Sequence, residues 1–438
     1  MKEKPEELTR KNFVLGVLNG ILFHFGISFA HPHTVLPVFV SLFTSSKVII
    51  GSVGTLWPFG WSIPQIFVAS LTEHWKRRKP IYIMAAVLRS SAWFFLFLLV
   101  YLYAGGKASF FLISFLILYG ASCLAGGLGG LPFMDIVGKV IATTKRGRFF
   151  SLRLFFGGIL SVGGGLVVKY ILSNPEHFPF PHNYALLFFL TFFWTSLGVF
   201  LFICVKEPTQ AAAVERRSNF FLYLRKLLGT LRENQNYKRF FWAVIFLNCG
   251  IITLPFYVIY GREVLRFPSA MVGIFISAQM IGAVISALFW GFLSDRYGNK
   301  LVVRLAGLLG ALVPLLIILA AGLHRIANPG FLSEEIFHQL PLAVYIVAFV
   351  FIGMNLNGLF IGQTNLLLEI APAKERATYI GITNTAIGLV TLLPLLGGYI
   401  IELTSYTVAF SLSLFLMLIG IFFAFLIVEP RTSRHKLR

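Results

Sequence analysis

Long apolar runs recur along the whole chain, separated by short polar stretches. A helix rising 1.5 Å per residue needs roughly 20 apolar residues to cross the ~30 Å hydrocarbon core of a bilayer. Twelve such spans can be marked, near 13–40, 48–71, 81–103, 110–138, 149–173, 184–205, 240–261, 270–293, 301–323, 341–368, 379–403 and 407–428. Lipid offers no partner to an exposed peptide group, so each run is predicted to be a helix. The expected fold is an all-α membrane protein with twelve transmembrane helices.

The longest polar interruption, residues 206–239, divides the spans into six and six. It opens at Glu207-Pro208 and then turns amphipathic. Phe220, Phe221, Leu224, Leu227, Leu228 and Leu231 are apolar, while Arg225, Lys226 and Arg232 are basic. That pattern suits a helix lying in the membrane interface, the alternative being a solvated linker helix. The expected organisation is a six-helix bundle over 1–205, a linker over 206–239 and a second bundle over 240–438.

The two halves echo each other. Ala69–Arg78 and Gly291–Lys300 match at an offset of 222, pairing Leu71 with Leu293, Thr72 with Ser294, Glu73 with Asp295, Trp75 with Tyr297 and Arg78 with Lys300. Leu36-Pro37 corresponds to Leu254-Pro255, and Lys145–Arg148 to Lys374–Ala377. Aligning Arg146 with Arg376 places Asp135 opposite Asn365. The bundles are therefore expected to be pseudo-symmetric. Parallel repeats of this kind in transporters put the solute site at the repeat interface near the midplane.

Composition agrees with a membrane protein. The 438 residues are 57% hydrophobic and 12% charged, about half the charge of an ordinary soluble domain. The net charge of +20 is uneven. With the N-terminal tail inside, the inner tails and loops hold 28 Lys and Arg. The outer loops hold five, Lys47, Lys107, Arg262, Arg266 and Arg325. This asymmetry predicts both termini in the cytoplasm and a multi-pass protein of a bacterial or archaeal cytoplasmic membrane, its basic loops anchored on anionic lipid. No basic, aromatic-interleaved soluble module is present, so nucleic-acid binding is excluded. Cys123, Cys204 and Cys249 fall in apolar spans without metal-ligand spacing, so they read as packing residues. Met1–Lys11 mixes acids and bases and leads into a full-length span, unlike a cleaved signal peptide.

Twelve spans, a long central loop and Gly291-x-x-x-Asp295-Arg-x-Gly298-x-Lys300 between the eighth and ninth spans resemble the major facilitator superfamily of secondary transporters. The resemblance covers essentially the whole chain. It implies two six-helix bundles, transport by alternating access and a cytoplasmic latch. The latch role would fall to Glu73 with Arg77 or Arg78, and to Asp295 with Arg296 or Lys300, with Gly291, Gly298 and Asp135 in the same gating regions. The first copy departs from the family pattern at Glu73, His74 and Lys76. A carboxylate near a helix N-terminus gains roughly 0.3–1 kcal/mol from the helix dipole, enough to bias two nearly balanced states.

Candidate binding residues are the polar groups inside the spans. All seventeen carboxylates fall in tails, in loops or near span ends, so a proton relay through a mid-span acid is not expected. His24 lies near the middle of the first span, and Gly20, His24, Ile27 and His31 share one helical face before His31-Pro32-His33 interrupts the helix. Each histidine is a candidate for solute or proton contact, or a neutral ring bonded to a nearby carbonyl. Arg89 sits roughly 13 Å into the third span, where a charge needs a partner or a wet cavity. Two readings are open: it binds an anionic solute group, or it pairs with Asp135. Gln65, Asn248, Tyr257, Gln279, Asn355, Asn357 and Asn384 complete the expected lining, with Trp57 and Trp61. Taken singly, such residues more often join helices than bind ligand.

These features point to a monomeric secondary transporter of a small organic solute, driven by an H+ or Na+ gradient or by the solute's own gradient. No Gly-x-x-x-x-Gly-Lys-Ser/Thr loop is present to bind ATP, and no cofactor is expected. An embedded lipid-modifying enzyme would need a surface cluster of His, Asp or Glu and would leave the repeat unexplained. A non-transporting receptor or assembly factor on the same fold is the other alternative.

Overall fold

A computed structural model describes residues 5–72, 77–103, 108–208, 234–325, 334–372 and 376–430. Among these residues the chain is helical, with no strand. The amphipathic segment expected within 206–239 and the acid of the first repeat loop, Glu73, lie outside them. Among the described residues, eleven helical segments are long and apolar enough to cross a membrane. Helix α3 (Lys47–Thr72) stands in the place of the second expected span but is not among the eleven. It carries Pro58, Pro64, Trp57, Trp61, Ser62 and Gln65, which lower its apolarity without shortening it. With α3 included, the count agrees with the twelve-span reading. The protein is a multi-pass integral membrane protein.

The residues form two compact units. The first comprises Met1–Ser45, Ser52–Arg216 and Pro268–Ser277. Its helices are α1 (Pro5–Phe29), α2 (Val35–Val40), most of α3, α4 (Lys79–Tyr101), α5 (Ala108–Val140), α6 (Thr143–Ser173) and α7 (His182–Ile203). The first span breaks between α1 and α2 at His31-Pro32, where proline removes a donor and ends the helix. Helix α1 packs against α6 and α7, while α4 packs against α5 and α7. Two aromatic cores hold the unit. Phe39 sits among Phe115, Tyr184 and Phe188, with Trp93 beside Phe188. Phe149, Phe133, Phe202 and Tyr82 lie in the other.

The second unit comprises Ser46–Gly51, Arg217–Phe267 and Ala278–Arg438. Its helices are α8 (Gln235–Asn248), a 3-10 turn (Cys249–Thr253), α9 (Leu254–Glu263), most of α10 (Met271–Tyr297), α11 (Asn299–Arg325), α12 (Glu334–Ile370), α13 (Arg376–Val390), α14 (Leu393–Leu403) and α15 (Tyr406–Leu426). The seventh and eleventh spans are each interrupted, and Pro255 and Pro394 start the second piece at a position where a missing N–H costs nothing. Helix α11 packs on α12, and α15 on α8 and α11. Large apolar side chains such as Phe110, Ile285, Leu288, Phe360 and Leu389 point outward, as a lipid-facing surface requires.

Candidate functional site

The first unit holds a partly open cavity of about 100 Å³. Asn19 and Phe23 reach it from α1, Trp61 from α3, Tyr82 and Arg89 from α4, Phe133 from α5 and Arg153 from α6. Arg89 lies over two aromatic faces, 4.5 Å from the ring centre of Phe23 and 5.3 Å from that of Trp57. Arg153 lies over Phe133 and Phe149, at 4.7 and 5.2 Å. Such cation–π contacts partly replace the water a guanidinium loses on burial. Arg153 Nη1 also donates to the Gly16 carbonyl and to Asn19 Oδ1. Asn19 Nδ2 in turn donates to the Gly198 carbonyl at 2.9 Å, tying α1 to α7.

Of the two readings of Arg89, pairing with Asp135 is not what the structure shows. Asp135 is bound by Lys139 Nζ at 2.7 Å and approached by Arg78 Nε at 3.8 Å. Arg89 Nε is buried with no hydrogen-bond partner among the described residues. The other expected residues of this unit have local partners. His31 Nδ1 bonds Thr34 Oγ1 at 3.1 Å, and Gln65 Nε2 donates to Trp61 O at 2.8 Å. His24 packs against Gly157, and Ser161 Oγ donates to the His24 carbonyl. Arg153 is the ionisable group facing the His24 ring.

The second unit has its own smaller cavity, lined by Asn248, Tyr257 and Asn355 with Leu254, Val313 and Met417. Asn248 Nδ2 donates to Val244 O and to Gln363 Oε1. The Tyr257 hydroxyl accepts from Thr253 Oγ1 at 2.8 Å. Asn355 Nδ2 donates to Ala306 O, and Asn357 Nδ2 to Ala283 O, each joining two helices. Gln279 is buried and its Oε1 has no partner among the described residues. Asn384 is exposed. The structure therefore brings only three of these residues to one cavity.

The basic ends of the units carry a device that the expected gating residues only outline. In the first unit Glu207, just beyond α7, accepts the backbone N–H groups of Arg78 and Lys79 at 3.2 and 3.0 Å, and Lys139 Nζ at 2.8 Å. Lys79 Nζ answers by donating to Val205 O. The carboxylate thus caps α4, whose orphan N–H groups favour an anion. In the second unit the Glu429 carboxylate lies beside Gly298, just before α11, and faces Lys300 and Arg304. Arg304 in turn donates to the carbonyls of Ala424 and Phe425 at the end of α15. Glu207 and Glu429 were not among the expected gating residues. Glu207-Pro208 and Glu429-Pro430 nevertheless stand 222 residues apart, the offset of the repeated loops, and that signal was readable. Arg296 lies over Phe292 and Tyr297, and Asp295 ends α10 nearby. Gly291 faces open space.

Gly298 shows why the loop needs glycine. Its φ is +89°, and a Cβ there would sit 2.8 Å from the Glu429 carboxyl. Alanine is expected to cost about 1–3 kcal/mol in backbone strain, read as a lower Tm for Gly298→Ala in detergent.

The family model described as Major Facilitator Superfamily matches residues 17–388 and 253–438, which together span nearly all of the sequence. The chain belongs to the major facilitator superfamily. Solved structures of this major facilitator's fold include the nucleoside transporter NupG, 15% identical, with a TM-score of 0.68, covering 96% of this chain and 100% of that one. A POT family transporter in complex with a thioalcohol-conjugated peptide is 14% identical, with a TM-score of 0.66 and coverage of 94% and 95%. A bacterial homologue of the iron transporter ferroportin in an inward-facing state is 15% identical, with a TM-score of 0.58 and coverage of 95% and 97%. No curated protein sequence matches the chain. At these identities the likeness speaks for the fold alone.

Proposed function

We propose that this major facilitator is a secondary active transporter that moves a small organic solute across a cytoplasmic membrane by alternating access. The observation that carries the reading is the first-unit cavity, where aromatic and basic side chains from five helices converge inside a membrane-embedded bundle. A cavity built this way is a solute site rather than a packing defect, because apolar filling would be cheaper than two buried charges. The asymmetry of basic residues supports cytoplasmic termini. The repeated Glu-Pro clamps and the Asp295 loop then lie on the cytoplasmic side, where they latch one of two states.

An ion gradient drives the accumulation. No carboxylate stands in mid-span, so His24, packed against Gly157, is the candidate for proton contact. Uptake of tritiated or fluorescent solutes into proteoliposomes, with and without an imposed pH or sodium gradient, tests the proposal. Accumulation above the outside concentration under one gradient is the expected result. Equal uptake with and without both gradients would leave a uniporter. His24→Gln is expected to lower uptake severalfold and to weaken its response to an imposed pH gradient. A variant with the wild-type rate and profile would remove His24 from the mechanism.

A further inference from the structure

Two guanidiniums share the first-unit cavity, and neither meets a carboxylate among the described residues. Arg89 and Arg153 are only 8% and 9% exposed. The ionisable groups that interact electrostatically with Arg89 are Cys123, Tyr82 and Tyr119, and those that interact with Arg153 are Tyr82 and His24. All are phenol, thiol or imidazole. The nearest acid along α5, Asp135, is taken up by Lys139 and Arg78. Arg153 spends Nη1 on Gly16 and Asn19, while its other N–H groups bond to nothing among the described residues. Arg89 makes no hydrogen bond among them, and its Nε is a buried, unsatisfied donor. Gly20 lies beneath the Arg153 side chain and Gly126 beneath that of Arg89.

Taking one such ion out of water costs several kcal/mol unless a counter-charge is supplied. Cation–π contact with Phe23, Trp57, Phe133 and Phe149 offsets part of that cost but leaves the donors empty. A membrane protein that keeps two such charges in one cavity leaves the counter-charge to a ligand. Guanidinium forks fit the planar or tetrahedral oxygens of carboxylate and phosphate.

We infer that the first-unit cavity binds a small anion, a carboxylate or phosphate group being held jointly by Arg89 and Arg153. The inference rests on the transporter reading and narrows its solute from a small organic molecule to an acidic one. Tyr82 lines the same cavity and offers it a phenol hydroxyl. Phe23, Trp61 and Phe133 form the apolar wall beside it.

The test is a thermal melt of the purified full chain in detergent with four probes: benzoate, phenyl phosphate, inorganic phosphate and the neutral benzamide. Wild type is expected to gain Tm with at least one anion and none with benzamide. The anion that shifts it tells carboxylate from phosphate, and phenyl phosphate from the free ion. Arg89→Gln and Arg153→Gln are expected to lose that shift. Arg89→Lys keeps the charge but not the fork, so it should fold as wild type and lose most of the shift, about tenfold or more in affinity. Without ligand, Arg89→Gln should melt no lower than wild type, because it removes a charge that has no partner. A structural arginine predicts the reverse, a lower Tm for Arg89→Gln in every condition. That result, no shift with any anion, or an equal shift with benzamide would overturn the inference. Uptake assays separate it from the reading beneath it. Transport of neutral solutes with no anion response leaves a transporter without this site. An anion response with no flux of any solute leaves a site without a transporter.

Discussion

Valine in place of Gly353 is expected to abolish a folded second unit. A Cβ at this position of α12 would stand 1.9 Å from the Gln279 carbonyl and 2.8 Å from the Ala283 nitrogen, both backbone atoms of α10. No side chain can rotate away to make room, so the two helices would have to separate. The contact is reciprocal, since a Cβ on Gly282 would stand 2.1 Å from the Val350 carbonyl. Helices in lipid gain little from hydrophobic burial against one another and rely on close van der Waals packing between small residues. Overpacking at such a seam costs about 3 kcal/mol or more. The expected outcome is loss of the monodisperse peak in detergent size exclusion for Gly353→Val, and a lowered Tm for Gly353→Ala. A valine variant with wild-type elution and melting would show that α10 and α12 do not approach this closely. The same seam accounts for two residues expected at a solute site. Asn357 donates across it to Ala283, and Gln279 is buried in it.

Glu207→Ala should be the most damaging change at the basic end of the first unit. The side chain is 1% exposed and accepts three hydrogen bonds, two from the N-terminus of α4 and one from Lys139. Removing it leaves the α4 donors uncapped and the Lys139 ammonium with Asp135 alone. Breaking a buried pair from one side costs about 3–5 kcal/mol, with a further share from the lost helix-end interaction. A large drop in Tm, with loss of transport, is expected for Glu207→Ala. Glu207→Gln, which keeps the shape but not the charge, should lose less. Pairing Glu207→Gln with Lys139→Met should recover part of the loss, because the unpaired ammonium goes with it. Additive losses in that double variant would mean the two groups act independently. The matching change, Glu429→Gln, reads the same device in the second unit.

Much of the fold was legible because lipid narrows the choices. Runs of apolar residues must be helices, and His31-Pro32 marks a break that the structure places where the missing donor would fall, whereas the breaks before Pro255 and Pro394 appear only in the structure. Helix α3 was recognised from its length despite Pro58, Pro64 and two tryptophans. The site was less legible, because helical periodicity says which residues share a face but not which helix that face meets. Arg153 was visible as a charge inside a span, yet its contact with Asn19 joins residues 134 apart in sequence. Whether Arg89 or another cation meets Asp135 likewise depended on the α4–α5 packing, which gave the acid to Lys139 and Arg78. Asn384 was grouped with lining residues on its polarity alone, and the structure leaves it exposed. The Glu-Pro pair was readable from the repeat offset, but its meaning appeared only when Glu207 was seen to cap α4.

We propose that this chain carries a solute across a membrane through a site containing Arg89 and Arg153. Solute flux in sealed proteoliposomes without nucleotide tests it most directly, using wild type, Arg89→Lys and protein-free vesicles side by side. The account predicts saturable uptake of an acidic solute by wild type, close to the protein-free leak in Arg89→Lys. Wild-type flux no faster than that leak for every solute offered would contradict it.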